Sequence, residues 1–235
     1  MKNTDFLTAI TASFEAFLNK GTSRSTDKLK PLHGAVAHDI AERLGGEYQV
    51  FSQGFGDDRE AELPGRYINK KVDITIKKHD RPIAGIAIKF VMQNYSQNSN
   101  NYFENMLGET ANIRCGNCPY FQVFIIFDRL PYYKKDKTIS KWELFSDHNI
   151  HKYAVLSKDN AGRYPHTPDK TLICVVHLPE PSADVTNLEQ YMDYYRRHGR
   201  ELSFSEHRYD GFGPAVIIND YEKFMGKVYH TIMAL

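Results

Sequence analysis

Two eight-residue runs, YFQVFIIF at 120–127 and TLICVVHL at 171–178, carry apolar residues at odd and even positions alike. Successive side chains of a strand point to opposite faces, so such a run suits an inner strand covered on both sides by helices. Segments with helical spacing surround them. Phe6, Ile10, Phe14 and Phe17 share one side of a helix expected over 5–20, which Gly21 ends. Val36, Ala37, Ile40 and Leu44 share one side of a second over 32–44, stopped by Gly45–Gly46. Further helices are expected from about 100 to 114, over 188–198 and over 220–235. The expected fold class is α/β (α+β): a three-layer core with a mixed central sheet flanked by helices. A single domain over 1–235 is expected, with its core at roughly 30–180 and the terminal helices packed on it.

Hydrophobic residues make up 41% and charged residues 25% of the chain, which excludes a disordered, collagen-like or coiled-coil protein. No apolar run approaches the length of a bilayer span, and MKNTDFLTAI is interrupted by Asp5, Thr8 and Thr11 where a secretory signal would be continuously apolar. A cytoplasmic protein without a membrane partner is expected. Cys115 and Cys118 form a C-x-x-C, and Cys174 stands three residues before His177. That odd spacing on a strand sends Cys174 and His177 to opposite faces, which argues against a four-ligand zinc site and for free thiols in a turn after a helix.

Period-two alternation begins near Tyr48, giving a strand at 48–55, and sharpens at 71–77, where Val72, Ile74 and Ile76 alternate with Asp73, Thr75 and Lys77. With the apolar set facing the core, Asp73 projects from the other face. The turn signal HDRP then leads into IAGIAIKFV at 83–91, so the two strands form an antiparallel hairpin. Lys89 sits between Ile88 and Phe90 in that otherwise apolar strand, where a lysine is costly unless a carboxylate or an anionic ligand accompanies it. An acid and a lysine on adjacent strands can hold a divalent cation against a phosphodiester and position a water. The competing reading is an ordinary cross-strand Asp–Lys pair near a sheet edge.

The stretch GRYINKKVDITI, a short turn, and then IAGIAIKF resemble the core of the PD-(D/E)XK nuclease superfamily as it occurs in type II restriction endonucleases. The likeness covers roughly residues 62–127: a Gly-Arg-Tyr approach, an Asp opening one strand and a Lys on the next. It departs from the pattern at Val72, where a proline is usual, and at Ala87, two residues before the lysine, where an acid is usual. In some members of the superfamily the acid comes instead from the helix after the lysine strand, and here that helix carries Glu104 and Glu109. With Phe103, Met106, Leu107, Thr110 and Ile113 as the packed face, Glu104 falls on a border and Glu109 further round, which favours Glu104. In the loop before the strand, Glu62 is a further possible ligand, preferred over Glu60 because it adjoins Pro64–Gly65, and Glu42 points away from its helix's apolar stripe.

The resemblance implies Mg2+-dependent hydrolysis of double-stranded DNA, with Asp73 and Glu104 holding the metal and Lys89 stabilising the phosphorane charge or orienting the water. It also implies a homodimer and a companion DNA methyltransferase. A repair or defence nuclease and a DNA-binding module that does not cut are the alternatives. The net charge of +1 does not advertise nucleic-acid binding and counts against this reading, though weakly, because a nuclease needs a positive cleft rather than a positive molecule. Candidate DNA contacts are Gln93, Asn94, Ser96, Gln97 and Asn98 in the amide-rich loop after Lys89, whose side chains suit adenine edges or phosphates. Lys134 and Lys135 in LPYYKKDKTISKW, where tyrosines and a tryptophan interleave lysines, suit backbone contact and stacking. RRHGR at 196–200 is a second basic cluster, at a helix end where cations also suit the dipole.

Overall fold

The computed structural model describes residues 1–20, 26–182, 184–198 and 202–235. In chain order the elements are α1 (Asn3–Lys20), a 3-10 turn (Thr26–Leu29), α2 (Lys30–Leu44), β1 (Tyr48–Ser52), β2 (Ala61–Leu63), β3 (Lys70–Val72), β4 (Ile74–Lys78), β5 (Arg81–Val91), α3 (Tyr95–Arg114), β6 (Tyr120–Phe127), β7 (Arg129–Tyr133), β8 (Ile139–Leu144), α4 (Asp147–Leu156), β9 (Lys170–His177), α5 (Leu188–His198), β10 (Ser203–Phe204), β11 (Val216–Ile218) and α6 (Tyr221–Met233).

The central sheet runs β1-β4-β5-β6-β9-β10, with β11 also on β9. It is mixed: β1/β4, β4/β5 and β9/β10 are antiparallel, while β5/β6, β6/β9 and β11/β9 are parallel. The doubly apolar runs are the inner strands β6 and β9, and every residue of β6 is buried. Its odd positions meet one helical layer, Phe127 packing on Phe14 of α1 (4.8 Å between ring centres) and Phe121 on Phe224 of α6 (6.4 Å). Its even positions meet the other, Phe124 packing on Tyr153 of α4 (5.3 Å) and Tyr95 of α3 (6.3 Å). The result is the three-layer α/β arrangement with a mixed sheet that the pattern called for. Among the described residues no helix is long and apolar enough to cross a membrane.

The β4–β5 hairpin closes through His79 and Asp80, both at positive φ (49° and 61°), which is what a two-residue turn with right-handed strand twist demands. The expected strand at 71–77 differs from the structure in one consequential way. It breaks at Asp73 into β3, which pairs with β2, and β4, which pairs with β1 and β5. Ile74 and Ile76 enter the main core, but Val72 does not share their face. It packs with Leu63, Ile113, Cys118 and Tyr120 in a smaller cluster beneath α3.

Three expectations about loops are also revised. The strand expected over 48–55 ends at Ser52. The amide-rich segment after Lys89 is helical from Tyr95, because Asn94 takes up a left-handed conformation (φ 52°) and Glu143 of β8 accepts the Ser96 backbone N–H at 3.3 Å and the Ser96 hydroxyl. A carboxylate there satisfies donors that every helix start leaves free. The basic segment at 130–142 is the β7–β8 hairpin rather than a loop.

Candidate active site

Asp73 occupies the bend at which the chain passes from one sheet to the other. Its Oδ2 accepts the backbone N–H of Ile88 at 2.7 Å, which fixes the carboxylate beside β5. Ile74 pairs with Ile86, so Asp73 lies opposite Ala87, and Lys89 is the next residue on the same face. Both side chains line one cleft between the sheet and α3, together with Tyr102, Asn105 and Glu109 of α3 and Gln122 of β6. Ala87 pairs with Gln122 and Lys89 with Phe124, so Asp73, Ala87 and Gln122 form a row across three strands. The small side chain of Ala87 leaves that row open at its centre.

The cleft is held by polar contacts to α3. The Lys89 ammonium lies 4.5 Å from the centre of the Tyr102 ring, a cation–π contact that orients it. Glu109 Oε2 pairs with Lys70 Nζ at 2.8 Å, and the Tyr120 hydroxyl donates to Glu109 Oε1. Burial pushes the Asp73 carboxyl up to about 6, and the Glu109 charge adds to the rise, against the opposing pull of the Ile88 N–H, Lys89 and Lys70. Burial also lowers the Lys89 ammonium, with Asp73 opposing. Glu60 is raised, first by burial and then by the Asp73 charge, and the buried His33 near it is lowered to about 4 by burial. Asp73 thus lies in the field of Glu109 and itself acts on Glu60, while Lys89 and Lys70 oppose the crowding of negative charge.

The donor set suits a hard cation. Among the described residues no group of three or more His, Cys, Asp or Glu side chains is placed to hold a metal. Two carboxylates and an amide facing an open cleft fit Mg2+, which is bound through one or two carboxylates and keeps several waters for substrate to replace.

Several expected site residues fall elsewhere. Glu104 is exposed, stands in the field of Lys152 and does not line the cleft, so the helix phase that favoured it over Glu109 is reversed. The stripe that faces the cleft is Tyr102, Asn105, Met106 and Glu109, partly polar because it covers a polar site, and the apolar stripe alone misjudges its direction. Glu62 is exposed on β2 and is not part of the cleft lining, whereas Glu60 feels Asp73. Glu42 is exposed and pairs with His38.

Of the expected DNA contacts, Asn94 and Ser96 are engaged internally: Asn94 Oδ1 accepts the Tyr133 N–H at 2.7 Å, and Ser96 bonds Glu143. Gln93 buries its amide oxygen with no hydrogen-bond partner among the described residues, and Asn98 lies beside the Tyr102 hydroxyl. Gln97 is exposed on the first turns of α3, and Lys134 and Lys135 are exposed at the tip of the β7–β8 hairpin. Arg196 pairs with Asp193 and donates to the Leu18 carbonyl, while Gly199 and Arg200 lie outside the described residues. Cys118 and Cys174 are buried, Cys115 follows the end of α3, and His177 bonds Asp128 at 2.7 Å.

Gln122 was not among the expected site residues, although it carried a signal. It is the amide in a strand otherwise built of aromatic and aliphatic residues, and the reasoning that singled out Lys89 applies to it equally.

No family model matches the chain, and no curated protein or solved structure matches it either.

Proposed function

We propose that the chain is a Mg2+-dependent endodeoxyribonuclease of the PD-(D/E)XK kind that cleaves double-stranded DNA, with Glu109 supplying the acid that Ala87 lacks. One observation carries this reading: Asp73, Lys89 and Glu109, from a strand junction, the neighbouring strand and the covering helix, line a single cleft. An accidental cross-strand pair would explain Asp73 and Lys89, but not a second carboxylate and a buried amide gathered on the same side.

The metal, when bound, polarises a phosphoryl oxygen and lowers the pKa of a coordinated water. The protein does the rest. Asp73 and Glu109 supply the oxygens, the Ile88 N–H and the Tyr120 hydroxyl keep them aimed, and the Gln122 amide orients a water or a phosphate oxygen at the gap over Ala87. Lys89, steadied on Tyr102, would bring a positive charge to the phosphoryl oxygens on which negative charge builds in the transition state. Sequence-specific cutting as a type II restriction enzyme, a two-fold homodimer addressing both strands, a cytoplasmic setting and a companion methyltransferase complete the proposal.

Incubation of a mixed-sequence duplex with the protein, with and without Mg2+, tests it. Discrete metal-dependent fragments are expected. A metal-dependent smear would retain the chemistry but remove the sequence specificity, and intact DNA under both conditions would overturn the reading.

A further inference from the structure

The loop between β2 and β3 presents its apolar side chains outward and is nevertheless built rigidly. Tyr67 is 80% exposed and Ile68 63%, two large apolar residues side by side in water. The backbone beneath them is clamped by one buried side chain of α3. Asn112 Oδ1 accepts the N–H groups of Tyr67 (3.0 Å) and Ile68 (3.3 Å), its Nδ2 donates to the Ile68 carbonyl (2.8 Å), and its own carbonyl accepts the Arg66 N–H (2.8 Å). The clamp requires glycine at 65, since a Cβ there would lie 2.1 Å from Asn112 Nδ2 and 2.3 Å from the Ile68 carbonyl oxygen. A loose loop can turn apolar residues away from water. This one cannot, so the exposure is imposed by the fold.

The surroundings say what the tip suits. Arg66 lies 5.9 Å from the centre of the Tyr67 ring, Lys71 is exposed opposite the exposed Glu62 of β2, and Lys70 is half-exposed where it pairs with Glu109. Asn112 stands one turn along α3 from Glu109, so the tip is held at a fixed offset from the cleft. An aromatic and an aliphatic side chain flanked by cations match a nucleic acid, which offers stacked bases between rows of phosphates.

We infer that residues 66–68 form a wedge for duplex DNA: Tyr67 and Ile68 press against or between bases in a groove beside the scissile phosphate, and Arg66 and Lys71 take the flanking phosphates. This rests on the nuclease reading above. It adds that the bound duplex is locally unstacked, which favours flexible pyrimidine–purine steps at that point.

The test uses the whole protein in Ca2+, with duplexes carrying 2-aminopurine at successive positions, and compares wild type with the double variant Tyr67→Ala, Ile68→Ala. Wild type is expected to raise the fluorescence at one or two positions. The double variant should lose that rise and bind about tenfold more weakly with an unchanged salt slope, whereas Arg66→Ala should lower the slope by about one. Both apolar side chains are exposed, so an unchanged melting temperature is the control for folding. A double variant that binds with the rise intact overturns the wedge and leaves the nuclease reading standing. A wild type that binds no duplex overturns both. Loss of a concentration-dependent dimer in the double variant, with DNA binding intact, would make the tip a self-association surface and also overturn the wedge.

Discussion

Asp73 illustrates what holding a carboxylate in the proposed site costs. Its folded-state pKa of about 6 lies above the unfolded value near 3.9, so the folded chain holds that proton more tightly and ionisation opposes folding. The penalty is absent below about pH 4, grows as the pH rises towards 6 and is complete above it, on the order of 3 kcal/mol. Asp73→Asn keeps an acceptor for the Ile88 N–H and removes the charge. In EDTA it should melt higher than wild type at pH 8, with the gain vanishing near pH 4; equal melting temperatures at pH 8 would show that the site is not strained by this carboxylate. For the second acid, Glu109→Gln should slow cleavage on the order of a hundredfold and Glu104→Gln hardly at all, and the reverse pattern in single-turnover rates would return the role to Glu104. That Asp73 and Lys89 share a face was legible in the sequence because strand alternation assigns faces with a period of two. Glu109 was named there but ranked below Glu104, because a helix assigns faces from its apolar residues, and over this cleft the inward stripe is partly polar.

At the level of elements, α3 shows how a distant residue decides a boundary. Its first turn is capped by Glu143, 47 residues away on β8, and the hairpin is stitched to it again where the Asn94 N–H meets the Pro131 carbonyl at 3.0 Å. Nothing within QNYSQNSNN reveals this, which is why its amides read as a loop. Glu143→Ala should lower stability by about 1–2 kcal/mol in urea unfolding and speed hydrogen exchange at Ser96 and its neighbours. Unchanged exchange there would mean that the cap does not hold the helix start. The break at Asp73 escaped the pattern for a similar reason. Alternation continues through Val72 in the sequence, but pairing with β2 draws Val72 into a second, smaller core.

Across the whole molecule, the layer order followed from two doubly apolar runs, while the pairing of β9 with both β10 and β11 depends on contacts no local pattern encodes. The terminal helices are part of the main core rather than additions to it. Phe6 of α1 stacks on Tyr221 of α6 at 4.2 Å, the Tyr221 hydroxyl donates to the buried Asp39 of α2 at 2.8 Å, and one apolar cluster runs from Phe6 to Ile232. Unfolding should therefore be a single transition, with far-ultraviolet circular dichroism and Trp142 fluorescence coincident in urea; two separated transitions would show independent units. The central claim is that this fold exists to hold a cation and a phosphodiester at Asp73, Glu109 and Lys89. Its most direct test is the single-turnover cleavage rate of a labelled duplex in Mg2+ for wild type and Asp73→Asn. Metal-dependent cleavage by wild type and a loss of roughly a thousandfold or more in a fully folded Asp73→Asn is the predicted result; equal rates for the two proteins, or no cleavage by wild type, would contradict it.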